Sequence, residues 1–486
     1  MSGDYALIPQ AAVGHWSAEA DVLVVGLGAA GACAALEARA AGASVLVLER
    51  ASGGGGTTAL AAGHLYFGGG TPVQKAVGVE DSVEAMFAYL MANTPVPEED
   101  KIRLYCEQSV AQFEWLETQG VPFHRNRYPG KHVVQPTEEC LIESGNEQVW
   151  PYRERARPAL RGHKVARAGE AGGALLMEKL IERVAASGTQ TICDAAVRSL
   201  VVDESGRVVG LRYRRFDQSF DVRARKAVVL AAGGFTMNEA MLSEHCPVLA
   251  DARIYKLGNP NDDGAGIRLG LAAGGQALHM DGCLVTSPIY PDEKLIKGIL
   301  VNAEGRRFVA EDSYHARSTA FMLRQPEQRV YLIVDQECHG KPEMMGQQLI
   351  DAWETVAEME TALQLPQGRL QATVSEYNRE AAQARDPLFH KGDKWLQPLQ
   401  HPPYGAFECS LGKAGYVGFT LGGLRVSIDG EVLDAQGRAV AGLYAAGGCA
   451  SNIAQDGTGY SSGTCIGEAT FFGRRAGRAA ALARPA

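Results

Sequence analysis

A chain of 486 residues with 46% hydrophobic content can bury a large core, and two domains are the natural reading of that length. A formal net charge of −9 without basic clusters speaks against nucleic acid as a partner, and no run of 18 apolar residues is present to cross a membrane. The ten cysteines are scattered, with no C-x-x-C pair and no Cys/His cluster at zinc spacing, so a reducing compartment is expected and a metal site is not.

Residues 1–20 are polar and irregular and read as a surface arm, not a signal peptide, which makes a soluble cytoplasmic protein the expectation. Residues 21–50, DVLVVGLGAAGACAALEARAAGASVLVLER, read as strand, glycine turn, helix and second strand. Gly26 permits the tight turn, Gly28 lets backbone approach a pyrophosphate, and Gly31 lets the helix lie close to the sheet. Ala29 and Ala30 then sit at the helix N-terminus, where a pyrophosphate is stabilised. Glu49, beside Arg50 and eighteen residues beyond Gly31, can accept ribose hydroxyls, and an acid there argues against a 2′-phosphate. This is a dinucleotide fingerprint in its full context.

The glycine loop that follows offers Gly54, Gly55, Gly56, Thr57 and Thr58 as backbone N–H groups and hydroxyls for a cofactor cradle, continuing through Ala62 and Gly63. Residues 172–186 have a helix pattern. Residues 191–215 read as a hairpin turning at Asp203-Glu-Ser-Gly206. Residues 226–235, KAVVLAAGGF, are a buried strand entering a glycine turn, and NDDGAG at 261–266 opens a helix. The interval 281–420 is poorer in Val-rich strands, has an amphipathic helix pattern over 347–362, and reads as a separate cap; Trp353 and Trp395 are taken as core. Residues 442–448 form another short strand ending at glycines, and GTCIGE at 463–468 opens the last helix.

Fingerprint, acid and G-G-T-T in this order resemble the FAD-binding flavoproteins of the succinate dehydrogenase and fumarate reductase superfamily. The resemblance implies an α/β fold: a Rossmann-like FAD-binding domain, with a parallel sheet plus a β-meander, over 20–280 and 421–484, interrupted by an α+β cap over 281–420. It also implies cofactor contacts near Val197, Ala232, Gly233, Asp263, Gly447, Gly448, Gly463, Thr464, Cys465 and Ile466. His64 lacks the family's covalent-histidine context, so the FAD is expected to be non-covalent.

The loop DGTGYSSGT at 456–464, the tyrosine of E-D-S-Y at 311–314, SGGGGTTALAAGH and the ending FFGRRAGRAA together resemble the 3-ketosteroid dehydrogenases, most closely the Δ4-(5α) type. The resemblance implies a steroid substrate, a separate electron acceptor, and a monomer or homodimer. It makes Tyr314 and Tyr460 the groups that take the C4 proton, with Ser462 lowering the pKa of Tyr460 by hydrogen bonding and the Gly463 N–H holding the 3-keto oxygen. Tyr416 and Phe419 are expected to line an apolar substrate pocket. Δ1 or 5β-specific dehydrogenation, a fumarate-type reductase using Arg317, His279 or His315, and an electron-transfer subunit stay open as other readings.

Overall fold

The computed structural model describes residues 5–485. Its largest sheet grows from the fingerprint. Ala18–Val25 lies between Val45–Leu48 and Gln218–Leu230, all parallel, and Gln190–Ile192 and Ala439–Ala445 extend the parallel pairing. Val22, Val24, Val47, Val228 and Val229 are fully buried, because a parallel sheet is covered on both faces and its strands read as unbroken apolar runs. Ala196–Val202, Val208–Arg215 and the start of Gln218–Leu230 run antiparallel as the expected meander, turning where the Asp203 amide donates to the Arg207 carbonyl. The N-terminal segment departs from the surface-arm reading: Ala6–Pro9 adds a parallel strand to Ala196–Val202 at the edge of the meander. Its partner lies about 190 residues away, which no local pattern reveals.

Helices Ala29–Ala40 and Gly172–Ala186 cover one face. Thr464–Leu482 returns from the far end of the chain and packs against the first helix, with Gly473 over Ala30 and Gly477 over Ala34. Between 299 and 408 a four-stranded antiparallel sheet forms from Ile299–Asn302, Val330–Val334, Tyr404–Glu408 and Leu349–Trp353. The helix expected over 347–362 is therefore a strand followed by the short helix Val356–Ala362. Thr355 starts that helix with a capping box to Glu358, which fixes where the strand must end. Leu300 and Leu332 of this sheet share one continuous core with Leu23 and Val228 of the large sheet, so the two layers meet across apolar contact.

A three-stranded sheet of Ile254–Lys256, Tyr416–Thr420 and Cys283–Thr286 bridges the two layers. Among the described residues no helix is long and apolar enough to cross a membrane.

Candidate active site

Two helix N-termini open on a single cavity of about 710 Å³. The Ala29–Ala40 helix begins at Gly28 and the Thr464–Leu482 helix at Gly463, and neither has a side-chain cap; the first amides of the Ala29–Ala40 helix face the cavity, whereas the Thr464 amide donates to the Ser461 carbonyl at 3.1 Å. Gly28, Ala29 and Ala30 line the cavity on one side, and Gly463, Cys465 and Ile466 on another. Gly26 has φ +100°, and a Cβ there would fall 2.5 Å from the Ala231 carbonyl, so the turn admits only glycine. Gly31 stands outside the lining; its Cβ would meet the Gly26 carbonyl at 2.0 Å, so its glycine serves the close approach of helix to strand.

Glu49 lies at the end of Val45–Leu48 with both carboxylate oxygens in use, Oε2 accepting from the Leu27 amide at 2.7 Å and Oε1 from the Ala51 amide at 2.8 Å. This fixes an acceptor at the cavity wall. Gly56, Thr57, Thr58, Ala62 and Gly63 line the cavity, whereas Gly54 and Gly55 do not. A Cβ on Gly54 would strike the Leu27 side chain at 2.7 Å, so this part of the loop packs against the protein. Val197, Ala232, Gly233, Gly447 and Gly448 also line the cavity.

Two expected cofactor residues turn elsewhere. Asp263 pairs with Arg50 at 2.6 Å and accepts from the Ala265 amide at the start of its helix. Its neighbour Asp262 faces the cavity instead and accepts from the Thr57 hydroxyl, with burial raising its pKa. Consecutive residues in a turn diverge, and the sequence does not say which is inward. Thr464 is buried with its hydroxyl donated to the Ser461 carbonyl at 2.8 Å, away from the lining.

The apolar part of the cavity is lined by Tyr314, Tyr460, Leu284, Phe419 and Cys465, with Leu421 packed in the same cluster behind them. Tyr314 precedes the helix His315–Met322. The segment leading to it is anchored by buried Glu311, which pairs with Arg307 at 2.8 Å and Lys391 at 3.2 Å; Arg307 also reaches Asp386. The Tyr314 hydroxyl lies 2.7 Å from Ser462 Oγ, and its ring centroid lies 6.4 Å from that of Tyr460. Phe419 meets Tyr460 edge-on at 5.8 Å.

The hydrogen bonding departs from the sequence reading at two points. Ser462 serves Tyr314, while the polar neighbour of the Tyr460 hydroxyl is Cys465. Burial holds both phenols well above their usual pKa; the Ser462 bond pulls Tyr314 only part of the way back. Tyr416 is not in the lining either. It is 1% exposed and donates its hydroxyl to the Cys409 carbonyl at 2.6 Å, while Val417 and Phe419 face the cavity. Strand alternation puts 417 and 419 on the face opposite 416.

His315 lines the cavity and contacts the Thr286 hydroxyl through Nδ1 at 2.6 Å; burial pushes its pKa down to about 3, so it is neutral. His64 also lines the cavity, 3.1 Å from Gln135 Oε1, and is pushed down to about 4. Arg317 turns away and donates to the Tyr152 hydroxyl at 2.9 Å. His279 is not part of the lining.

The family described as FAD binding domain matches residues 21–465. The chain belongs to this FAD-binding family. Among solved structures, the flavoprotein is similar to the 3-ketosteroid-Δ4-(5α)-dehydrogenase of Rhodococcus jostii RHA1 in complex with 4-androstene-3,17-dione. The two share 40% identity over 98% of this chain and 99% of that one, with a TM-score of 0.93. A 3-oxo-5-alpha-steroid 4-dehydrogenase of Comamonas testosteroni is 30% identical, covering 89% of this chain and 93% of that protein. A probable fumarate reductase of Shewanella frigidimarina is 28% identical over 95% of this chain and 74% of its own length. FAD is thus the cofactor. The cavity fits it: the uncapped amides at the start of the Ala29–Ala40 helix suit anionic groups, the positive end of the Thr464–Leu482 helix borders the same cavity, and the fixed Glu49 carboxylate stands where the fingerprint places a ribose.

Proposed function

We propose that this flavoprotein is an FAD-dependent 3-ketosteroid Δ4-(5α)-dehydrogenase. It removes the 5α-hydrogen as a hydride and the 4β-hydrogen as a proton, giving a 4-ene-3-ketosteroid. The observation that carries the reading is the hydrogen bond between Tyr314 and Ser462, with Tyr460 beside it, in the apolar part of the dinucleotide cavity. Bound FAD supplies the hydride acceptor.

The chain's own share is the proton and the carbonyl. A ketone acidifies the hydrogens beside it, and the charge left by the departing proton collects on the carbonyl oxygen. Tyr314 and Tyr460 receive the C4 proton, with Ser462 holding the Tyr314 hydroxyl in place. The Gly463 N–H, at the uncapped start of the last helix and within the lining, holds the 3-keto oxygen. Leu284, Val417 and Phe419 supply the apolar walls. The amides of residues 28–30 hold the pyrophosphate, Glu49 the ribose, Val197 the adenine, and Gly56 to Thr58 with Gly447 and Gly448 the remainder of the cofactor. The protein works in the cytoplasm as a monomer or homodimer and passes its electrons to a separate acceptor. Arg317, the cationic candidate for clamping a carboxylate, is committed to Tyr152, which favours a ketone over a dicarboxylate.

Anaerobic mixing with 5α-androstane-3,17-dione is expected to bleach the oxidised-flavin absorbance, while the 5β isomer and 4-androstenedione leave it unchanged. Bleaching by the 5β isomer alone would assign the opposite face. No bleaching by either saturated steroid, with reduced protein reoxidised by fumarate, would replace the reading with a reductase.

A further inference from the structure

Tyr314 and Ser462 are 148 residues apart in the chain, and neither segment by itself fixes the 2.7 Å between their hydroxyls. A third segment, residues 144–146, touches both. The Ser144 carbonyl accepts from the Ser462 amide at 2.7 Å. Gly145 leaves space beside it, since a Cβ there would lie 2.2 Å from Ser461 Oγ and 2.8 Å from the Tyr89 hydroxyl. Asn146, fully buried, accepts the Tyr314 amide on Oδ1 at 2.9 Å. Its own backbone N–H donates to the Tyr89 hydroxyl at 2.8 Å, and that hydroxyl lies 3.0 Å from Ser461 Oγ. One short strap is therefore bonded on one side to the start of the His315–Met322 helix and on the other to the loop carrying Tyr460 and Ser462.

We infer that Asn146 is a positioning residue that sets Tyr314 against Ser462 for proton transfer. The inference rests on the proposed function, because it assumes that Tyr314 takes part in turnover. A carboxamide suits the post: Oδ1 accepts the Tyr314 N–H, while Nδ2 points to the Thr458 carbonyl at 3.5 Å, so one side chain reaches both the helix start and the loop. Displacing a reacting group by about an ångström costs roughly 100-fold in rate while leaving apolar substrate contacts in place.

The test compares Asn146→Ala, Asn146→Asp and Tyr314→Phe in the FAD-loaded enzyme with 5α-androstane-3,17-dione, together with hydrogen exchange at the Tyr314 amide. Asn146→Ala is expected to keep its flavin, lose roughly 10- to 100-fold in kcat with KM changed less than about threefold, and exchange the Tyr314 amide faster. Asn146→Asp keeps the acceptor and is expected to restore most of both kcat and protection. Wild-type kcat and exchange in Asn146→Ala would overturn the inference, as would equal losses in Asn146→Ala and Asn146→Asp or loss of flavin from either, which mark a structural role. Full turnover by Tyr314→Phe would take Tyr314 out of the reaction and with it the inference, while no turnover of the steroid by the unaltered enzyme would overturn the functional reading itself.

Discussion

Burial raises the pKa of Tyr314 and Tyr460 well above the ordinary phenol value of about 10, so at neutral pH both are overwhelmingly protonated. A base needed in its phenolate form becomes more abundant as pH rises. We expect kcat/KM to climb close to tenfold per pH unit from neutrality into the alkaline range, and a profile flat from pH 6 to 9 would sink the phenolate role. Tyr460→Phe and Tyr314→Phe should each retain bound flavin while losing roughly 100- to 10,000-fold in turnover; steady-state rates set against flavin absorbance decide this.

Glu147 titrates in the opposite sense for stability. It is 2% exposed, accepts from Tyr66 at 2.8 Å, and leaves Oε2 unpartnered among the described residues; burial, partly offset by Arg161, pushes its pKa up to about 7. Between about pH 4.5 and 7 the unfolded chain releases a proton that the folded chain keeps, so stability falls through that window by roughly 3 kcal/mol. Glu147→Gln should flatten the slope and melt higher than the parent at pH 8. Parallel melting curves at pH 5 and pH 8 would refute it.

Elements meet closely where the first and last helices cross. A Cβ on Gly477 would lie 2.1 Å from the Ala34 carbonyl and one on Gly473 2.5 Å from the Ala30 carbonyl. Forcing a larger side chain into such packing costs roughly 1–3 kcal/mol, and here it also displaces the helix whose N-terminus borders the cofactor cavity. Gly477→Leu is expected to melt several degrees lower and to retain FAD poorly, while Gly14→Ala, with nothing within 4 Å, stays within about 0.5 kcal/mol of the parent. Equal melting temperatures for the two variants would contradict this account.

Strand, glycine turn and helix at 21–48 were legible in the sequence because each step is local: Val-rich runs, a glycine with φ +100°, and an acid at the next strand end. GYVGF was not, because Tyr416 and Val417 are both apolar enough for either face, and only the pairing of Val417 with Thr286 sets the phase. Leu349–Trp353 failed for a related reason. It is a largely exposed edge strand whose scattered apolar residues mimic helical spacing, and its partner lies more than fifty residues onward.

Across the whole molecule the cavity is assembled from parts that no single stretch contains. Its walls include residues from 25–64, 196–198, 231–236, 256–269, 284–315, 417–420 and 447–469, so a bound cofactor would join segments from early and late in the chain and the layer between them. This is also why the Tyr314–Ser462 bond was beyond the sequence: each residue was visible in its own motif, but which tyrosine the serine meets depends on how the two layers seat. A cofactor held by so many separate segments binds the folded chain and has little to hold in the unfolded one, so it stabilises by mass action, by about 2.7 kcal/mol at a free concentration one hundred times its Kd. FAD removal is therefore expected to lower the melting temperature by several degrees. Because the apolar walls share that cavity with the cofactor side, 4-androstenedione should raise the melting temperature of FAD-loaded protein and have little effect on the stripped protein. Thermal scans of both forms with and without the steroid measure the coupling, and an equal steroid-induced shift in both would mean that the substrate site forms independently of FAD.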